Sequence, residues 1–419
     1  MYVYLPAVYA EWLPLATVGV VLLVARAVDL LTDPLIGILG DRLHTPLGRR
    51  RGLMVLGLPV LMVGVLGLFL PPSTPTVAHL LGFSLVAYLG WSMVMLPYLA
   101  WGAELSEEYH QRTRVTASRE AWVILGTLLA VIVPALVDDG AVGVRGLGAL
   151  GIALAVALPC AVAVAVIWVS EPPAEPPPVL VRGALLREVA ANAPFRRLLL
   201  AYLLNGTANA LPASLFLLYV EHVLGRPDWT GPLLVVYLLA GIAALPLWMR
   251  LARRHDKHRV WAWSMLWAAA AFAGVPFVDP DQAWVFAVIC ALSGASLAVD
   301  MALPASIQAD VLDVDRANGG ARKAGLYYGL WSMATKLALA LSVGLAFPAL
   351  DLAGFDPGSP SPVGVQALAL LYGMAPVAIK LVVVALIWRF PLDRAAQRAL
   401  GERIAQAEDA RTARASPMT

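Results

Sequence analysis

The stretch Ala25–Arg42 reads ARAVDLLTDPLIGILGDR and runs, five residues later, into Gly48-Arg49-Arg50-Arg51. It is the end of an apolar span, residues 16–40, with two carboxylates inside it and a basic joint after it. A charge at a bilayer centre costs ~2.5–3.5 kcal/mol even on insertion scales, so Asp29 and Asp33 need a reason to be there. Four residues apart, they share one helix face, and Thr32 adds a hydroxyl beside them. Two buried carboxylates do not both stay ionised unless a cation or proton joins them. Oxygen ligands suit hard cations, so the reading is a coupling-ion site for Na⁺, Li⁺ or H⁺. The bland alternative is that Arg26 pairs with Asp29 while Asp33 borders an aqueous cavity. Arg26 can balance only one of the two acids.

The rest of the chain has the composition of a membrane protein. Of 419 residues, 60% are hydrophobic and 14% charged, and the mean hydropathy is +0.75. That leaves too little charge to cover a soluble surface. Apolar blocks fall near 16–40, 52–70, 77–103, 119–137, 147–169, 196–221, 231–249, 260–278, 283–308, 324–349 and 365–388. Each is long enough, or nearly so, to cross a hydrocarbon core of ~30 Å as a helix. Cys160 and Cys290 lie inside these blocks and read as small core residues. None of the six histidines has metal-ligand spacing, and no phosphate-loop, zinc or nucleic-acid signature is present.

Lys and Arg set the orientation. All but five of the 30 lie in alternate joints or in the C-terminal tail; Arg145 and Arg226 lie in the opposite joints, and Arg26, Lys336 and Lys380 lie within spans. The basic joints and the C-terminus are therefore expected in the cytoplasm, in the inner membrane. The first full span then runs inward. Residues 1–10 become the outer half of a helix whose start would lie about 10–20 residues upstream, either before a start set too late or in a missing piece. The joint 170–195 opens proline-rich and divides an N-terminal bundle (1–169) from a C-terminal one (196–389), with a tail at 390–419.

Further ionisable residues stand where they need explaining. Gly37, Asp41, Arg42, Arg49 and Arg50 read as an inner gate, against plain positive-inside topology. Asp310 and Asp313, with Asp315, read as partners of the arginines of that first joint when the transporter faces outward, against a solvated loop. Lys336 lies about 12 residues into its span, too deep to snorkel. With Tyr327 and Trp331 on the same span it reads as a substrate contact, although the aromatics alone fit a core. Asp300 lies mid-span and reads as a substrate or proton-coupling acid. Arg119 opens its span, as an edge anchor or a cavity ligand. Lys380 is expected to snorkel toward the cytoplasm. Asn205 and Asn209 share a face and bond between helices or contact ligand.

Three stretches together, 26–51, 97–120 (PYLAWGAELSEEYHQRTRVTASRE) and 308–336 (QADVLDVDRANGGARKAGLYYGLWSMATK), resemble the glycoside–pentoside–hexuronide:cation symporters, the melibiose-carrier-like branch of the major facilitator superfamily. The resemblance runs in order along essentially the whole chain. It implies an all-α membrane protein with the major facilitator fold of two six-helix bundles, about 11.5 spans being present here. It places the family's cation site on Asp29, Thr32, Asp33 and Ser92. Its sugar-binding arginine falls on Arg119, and the lysine linking ion and sugar sites falls on Lys336. Tyr98, in the second stretch, joins the candidate substrate contacts. The family's sugar-binding aspartate and two tryptophans fall on Met95, Leu99 and Met301, so the sugar side departs from the pattern.

The sequence thus reads as a cation-coupled secondary transporter, not an enzyme, of a sugar or glycoside by alternating access. It is expected as a monomer that needs no cofactor beyond Na⁺ or H⁺ and no nucleic-acid partner. A sodium-coupled carrier of lysolipids or other amphiphiles fits the more apolar cavity, and a membrane sensor that transports nothing is a third class.

Overall fold

A computed structural model describes residues 4–9, 12–43, 45–105, 108–137, 144–171, 191–317, 324–355 and 361–415. Most of the joint 170–195 and the basic residues Arg322 and Lys323 lie outside them. Apart from short 3-10 turns, the regular structure among the described residues is α-helical: α1 (Tyr4–Tyr9), α2 (Leu15–Arg42), α3 (Arg49–Phe69), α4 (Val77–Glu104), α5 (Tyr109–Val137), α6 (Val144–Trp168), α7 (Ala193–His222), α8 (Thr230–Arg254), α9 (Lys257–Phe272), α10 (Ala283–Gly294), α11 (Leu297–Ala317), α12 (Ala324–Leu352), α13 (Pro362–Ile387) and α14 (Arg394–Ala415). Nine helical segments among them are long and apolar enough to cross a bilayer. They coincide with nine of the expected spans. The other two, 16–40 and 119–137, are the charge-bearing helices α2 and α5, of 28 and 29 residues.

The chain divides into two compact units. The first comprises Met1–Leu105, Leu125–Val179 and Ala321–Met333. Its centre is the antiparallel pair α3 and α4. A side chain at Gly64 would run into the backbone of Ala87, and one at Gly90 into Leu61, so both small residues let the two backbones touch. Met54, Leu61, Val65, Leu68, Leu80 and Val94 fill the space around that contact. The short α1 packs into the same core: Leu5, Val8 and Tyr9 are buried, and the Tyr9 hydroxyl donates to the Leu68 carbonyl at 3.1 Å. The first turns of α12 lie directly on α2, Gly325 against Gly37 and Gly329 against Asp33 and Pro34.

The second unit comprises Ser106–Ile124, Leu180–Gly320 and Ala334–Thr419. One end is an aromatic core, with Tyr219 stacked on Tyr372 at 4.3 Å and Phe286 5.0 Å away. The expected span 283–308 is broken in two here. Between α10 and α11 the Ser296 hydroxyl donates back to the Ser293 carbonyl, and Gly294 sits on the Tyr237 backbone. Serine hydroxyls that compete for helix carbonyls are a recognised way to interrupt a helix. The break puts Asp300 in the first turn of α11, where the helix dipole favours a carboxylate. The tail also carries structure. Arg394, at the start of α14, donates to the carbonyls of Ala252, Arg253 and His255 at the end of α8.

Many outward-facing side chains in both units are apolar, for example Leu31, Trp168, Leu217 and Leu247. A surface of this kind is matched to lipid rather than to water.

Deep in the second unit, one carboxylate takes four donors. Asp300 Oδ1 accepts from Asn205 (3.0 Å) and Trp261 Nε1 (2.6 Å), and Oδ2 accepts from Asn209 (2.9 Å) and Lys380 Nζ (3.2 Å). Lys380 also donates to Asn205 Oδ1 at 2.9 Å. Lys380 therefore does not snorkel: its ammonium is drawn inward by Asp300. The cluster ties α7, α9, α11 and α13 together and is electrically neutral.

Breaking one partner of a buried pair strands a charge, whereas removing both charges does not. We expect Asp300→Asn and Lys380→Met each to lower the unfolding free energy by about 3–5 kcal/mol, and the double variant to recover most of that loss. Detergent–SDS unfolding titrations of the four proteins measure it; a double variant no more stable than the singles would refute a charge-pair tie.

Candidate functional site

On α2 the two aspartates stand one turn apart with their carboxylates buried, Asp29 3% and Asp33 0% exposed. α4 brings Ser92 against them. The Ser92 hydroxyl lies 2.6 Å from Asp33 Oδ1 and 3.3 Å from Asp29 Oδ1, so three oxygens from two helices converge. Arg26 Nη1 donates to Asp29 Oδ2 at 3.1 Å and its guanidinium lies over the Tyr88 ring. Arg26 thus meets Asp29, and a hydroxyl joins the two acids. That hydroxyl is not the one beside them in sequence. Thr32 Oγ1 donates to the Asp29 backbone carbonyl at 3.1 Å, the back-bond a helical threonine makes most easily. Among the described residues no group of three or more His, Cys, Asp or Glu side chains is arranged to hold a metal ion.

At the basic end of the first unit, Asp41 terminates α2. Its Oδ1 accepts from the Gly325 amide (2.8 Å) and its Oδ2 from the Leu326 amide (3.0 Å), the first-turn donors of α12. Helix N-termini leave such amides without internal partners, and their dipole favours an anion. Arg50 donates to Asp41 Oδ1 at 2.8 Å, to the Gly40 carbonyl at 3.0 Å and to Glu104 at 2.7 Å, while Arg49 reaches Glu104 at 3.1 Å. Glu171 accepts from the Arg50 and Arg51 amides, at 2.7 and 3.3 Å. Arg42 stands in the last turn of α2. The sequence reading put Gly37, Asp41, Arg49 and Arg50 in one place, and the structure does so. It missed Glu104 and Glu171, acids at the basic ends of spans 77–103 and 147–169, whose signal was that neither end carries its own neutralising base.

Asp310 and Asp313 are engaged by groups of the second unit. Arg112 in the first turn of α5 donates to Asp310 (3.2 Å) and Asp313 (2.5 Å), Lys257 in the first turn of α9 donates to Asp310 (2.6 Å), and Gln397 of α14 donates to Asp313 (2.7 Å).

The candidate substrate contacts are spread over both units, with Tyr98, Tyr327 and Trp331 in the first and Arg119, Asp300 and Lys336 in the second. Asp300 is engaged by Asn205, Asn209, Trp261 and Lys380, none of them in the expected substrate set. Tyr327 and Trp331 are buried side chains at the start of α12, and Tyr98 is partly buried against the core of the first unit. Lys336 is buried midway along α12. Arg119 stands ten residues inside α5 rather than at its edge, because the helix begins at Tyr109. Its guanidinium pairs with Glu120, which the sequence reading passed over: Nη2 and Nε donate to the same Oε1, at 2.6 and 3.1 Å.

The sequence profile of the family described as MFS/sugar transport protein matches residues 2–394. The uncharacterized symporter YjmB of Bacillus subtilis is 23% identical over 422 residues, covering 92% of this chain and 86% of the relative. The human sodium-dependent lysophosphatidylcholine symporter 1 is 25% identical over 425 residues, covering 91% and 77%. The inner membrane symporter YicJ of Escherichia coli is 24% identical over 355 residues, covering 82% and 76%. Among solved structures, a bacterial homologue of the iron transporter ferroportin superposes with a TM-score of 0.71 at 15% identity, over 93% of each chain. The E. coli fucose:proton symporter gives 0.64 at 13% identity, over 88% of this chain and 94% of that one. With the fold of the major facilitator superfamily and a match along nearly its whole length, the chain belongs to the MFS/sugar transport protein family and is a multi-pass membrane secondary transporter.

Proposed function

We propose that this chain is a cation-coupled symporter of the glycoside–pentoside–hexuronide branch, working in the inner membrane by alternating access. Its basic joints and its C-terminus lie in the cytoplasm, which the distribution of Lys and Arg supports. The coupling ion, Na⁺ or H⁺, is taken by Asp29, Asp33 and Ser92. The observation that carries this is the Ser92 hydroxyl lying within 3.3 Å of both carboxylates, so that a hard cation would find three oxygens together. Arg26 holds Asp29 in the ion's absence and is displaced or shared when it binds. A small hydroxyl-bearing solute of the sugar or glycoside class is taken at Arg119, with Lys336 linking its site to the ion's. Coupling requires that ion and solute bind one conformation better than the other.

Asp41 with the α12 amides and Arg50, and Asp310 and Asp313 with Arg112 and Lys257, act as the closures on the cytoplasmic side. Water and lipid headgroups are available there to take over the bonds when they part.

A second substrate reading has one observation behind it. Met95, Leu99 and Met301 stand where the branch carries an acid and two tryptophans, which suits an acyl chain, and lysophosphatidylcholine symporters are among the relatives. Purified protein screened by thermal shift against sugars and lysolipids, with and without Na⁺, separates the two.

The ion site is tested without a substrate. Na⁺ or a fall in pH should raise the unfolding temperature of the wild type, and Asp33→Asn and Asp29→Asn should abolish that response while leaving the protein folded. Ser92→Ala should shift the half-saturating cation concentration about tenfold, the effect of losing one ligand worth ~1.4 kcal/mol. A full response in either aspartate variant would sink the assignment.

Asp41→Asn should loosen the start of α12. Loss of a charged cap on a helix N-terminus costs about 1 kcal/mol. Hydrogen exchange in the peptide beginning at Ala324 should therefore quicken several-fold, whereas unchanged protection would show that Asp41 does not hold it.

A further inference from the structure

Arg119 and Glu120 are neighbours in sequence, and neighbours on a helix do not face each other. Their side chains have nevertheless bent together, with only 13% and 9% of their surface exposed. The pairing is a conformational choice and not an accident of spacing. It occurs about 15 Å along α5 from its start, where a charge with no partner is costly.

The geometry of the pair is lopsided. Both donors that Arg119 gives to Glu120, Nε and Nη2, go to Oε1. Oε2 accepts from no protein group among the described residues, and it is not sealed in the interior. A carboxylate oxygen thus remains available beside the guanidinium, and the pair has no net charge. Hydroxyl groups suit such a couple, donating to Oε2 and accepting from guanidinium N–H groups. A zwitterionic headgroup suits it equally, cation to Oε2 and anion to the guanidinium. A net anion does not, because it would approach a carboxylate at close range in a medium of low dielectric. A fixed repulsive group of this kind is how sites exclude a competitor.

We propose that Glu120 is a specificity-determining residue, a charge filter that neutralises Arg119, admits a headgroup of zero net charge and rejects anionic ones. This rests on the reading of Arg119 as a substrate contact. It narrows the substrate class, since hexuronates are excluded while uncharged glycosides and zwitterionic lysolipids remain.

The test uses the full chain in lipid nanodiscs with Na⁺ and two matched pairs of probes. Methyl β-glucoside is set against glucuronate, and lysophosphatidylcholine against lysophosphatidate. Thermal-shift titration should show the wild type stabilised by one of the two net-neutral probes, with its anionic counterpart weaker by roughly a hundredfold. Stabilisation by the glucoside identifies the sugar source, by the lysolipid the amphiphile source. Glu120→Gln should bring the anionic probe to within about tenfold of the neutral one, and Glu120→Asp should keep the wild-type ranking. A wild type that binds an anionic probe as tightly as its counterpart, or that binds neither net-neutral probe, overturns the filter, and this holds even where Glu120→Gln does not fold. So does an unchanged ranking in folded Glu120→Gln. Arg119→Gln separates this failure from that of the underlying reading. If it binds the neutral probe normally, Arg119 is no contact and the substrate site itself is misplaced; if binding is lost while Glu120→Gln keeps the ranking, only the filter falls.

Discussion

Lipid cannot solvate a charge, and this constraint organises the interior of both units. Each ionisable side chain inside the helices has to find its counter-charge in the protein. The solutions differ in kind. Asp300 is met by four donors from α7, α9 and α13, and Glu120 by one arginine on its own helix. Asp29 and Asp33 are met by Arg26 and a shared serine hydroxyl. The helices are held in register by these pairings as much as by apolar packing, because lipid tails compete with Leu and Val for apolar contacts on equal terms.

The three solutions have different consequences. Around Asp300 the hydrogen-bond partners are N–H donors, one of them the Lys380 ammonium. Around Asp29 and Asp33 the converging atoms are oxygens, the ligand set that Na⁺ or a proton can use. The same residue type on two helices thus stands among nitrogen donors in one unit and beside a shared hydroxyl in the other. What distinguishes them is the chemical nature of the neighbours.

The hydropathy of the chain showed the spans and the paired acids, because both signals are local. Aspartates four apart in an apolar run cannot be overlooked. Ser92 could be reached only through family resemblance, since a lone serine in a membrane span costs little and carries no signal. Thr32 is marked by adjacency and by the same resemblance, and its hydroxyl donates to the Asp29 backbone carbonyl. Arg119 opens its span in the sequence because apolarity thresholds trim a helix at its first charge, whereas α5 starts ten residues earlier. Glu120 was hidden by the arginine next to it. The partners of Asp310 and Asp313 were out of reach for another reason: several basic joints offered equivalent charges, and only the packing of α5 and α9 against α11 selects Arg112 and Lys257.

The contact between α2 and α12 is built unlike the Asp300 cluster, and the difference bears on motion. At Gly37 and Gly325 the backbones touch with no side chains between them, and the bonds closing the contact are two helix amides on Asp41. Water at the basic end can satisfy both amides and the carboxylate once they part. Asp41 retains Arg50 as a partner in either case. Along α2, Asp33 and Asp41 lie about 12 Å apart on a single helix. Pro34 follows Asp33 directly, and its missing amide leaves the Leu30 carbonyl without the usual helical bond. A helix weakened at that point can change its bend when the charge on the two acids changes, and the far end of the same helix carries the contact proposed above as the inner closure. Ion binding and closure can thus be coupled through one element, provided the ion prefers one of its two shapes.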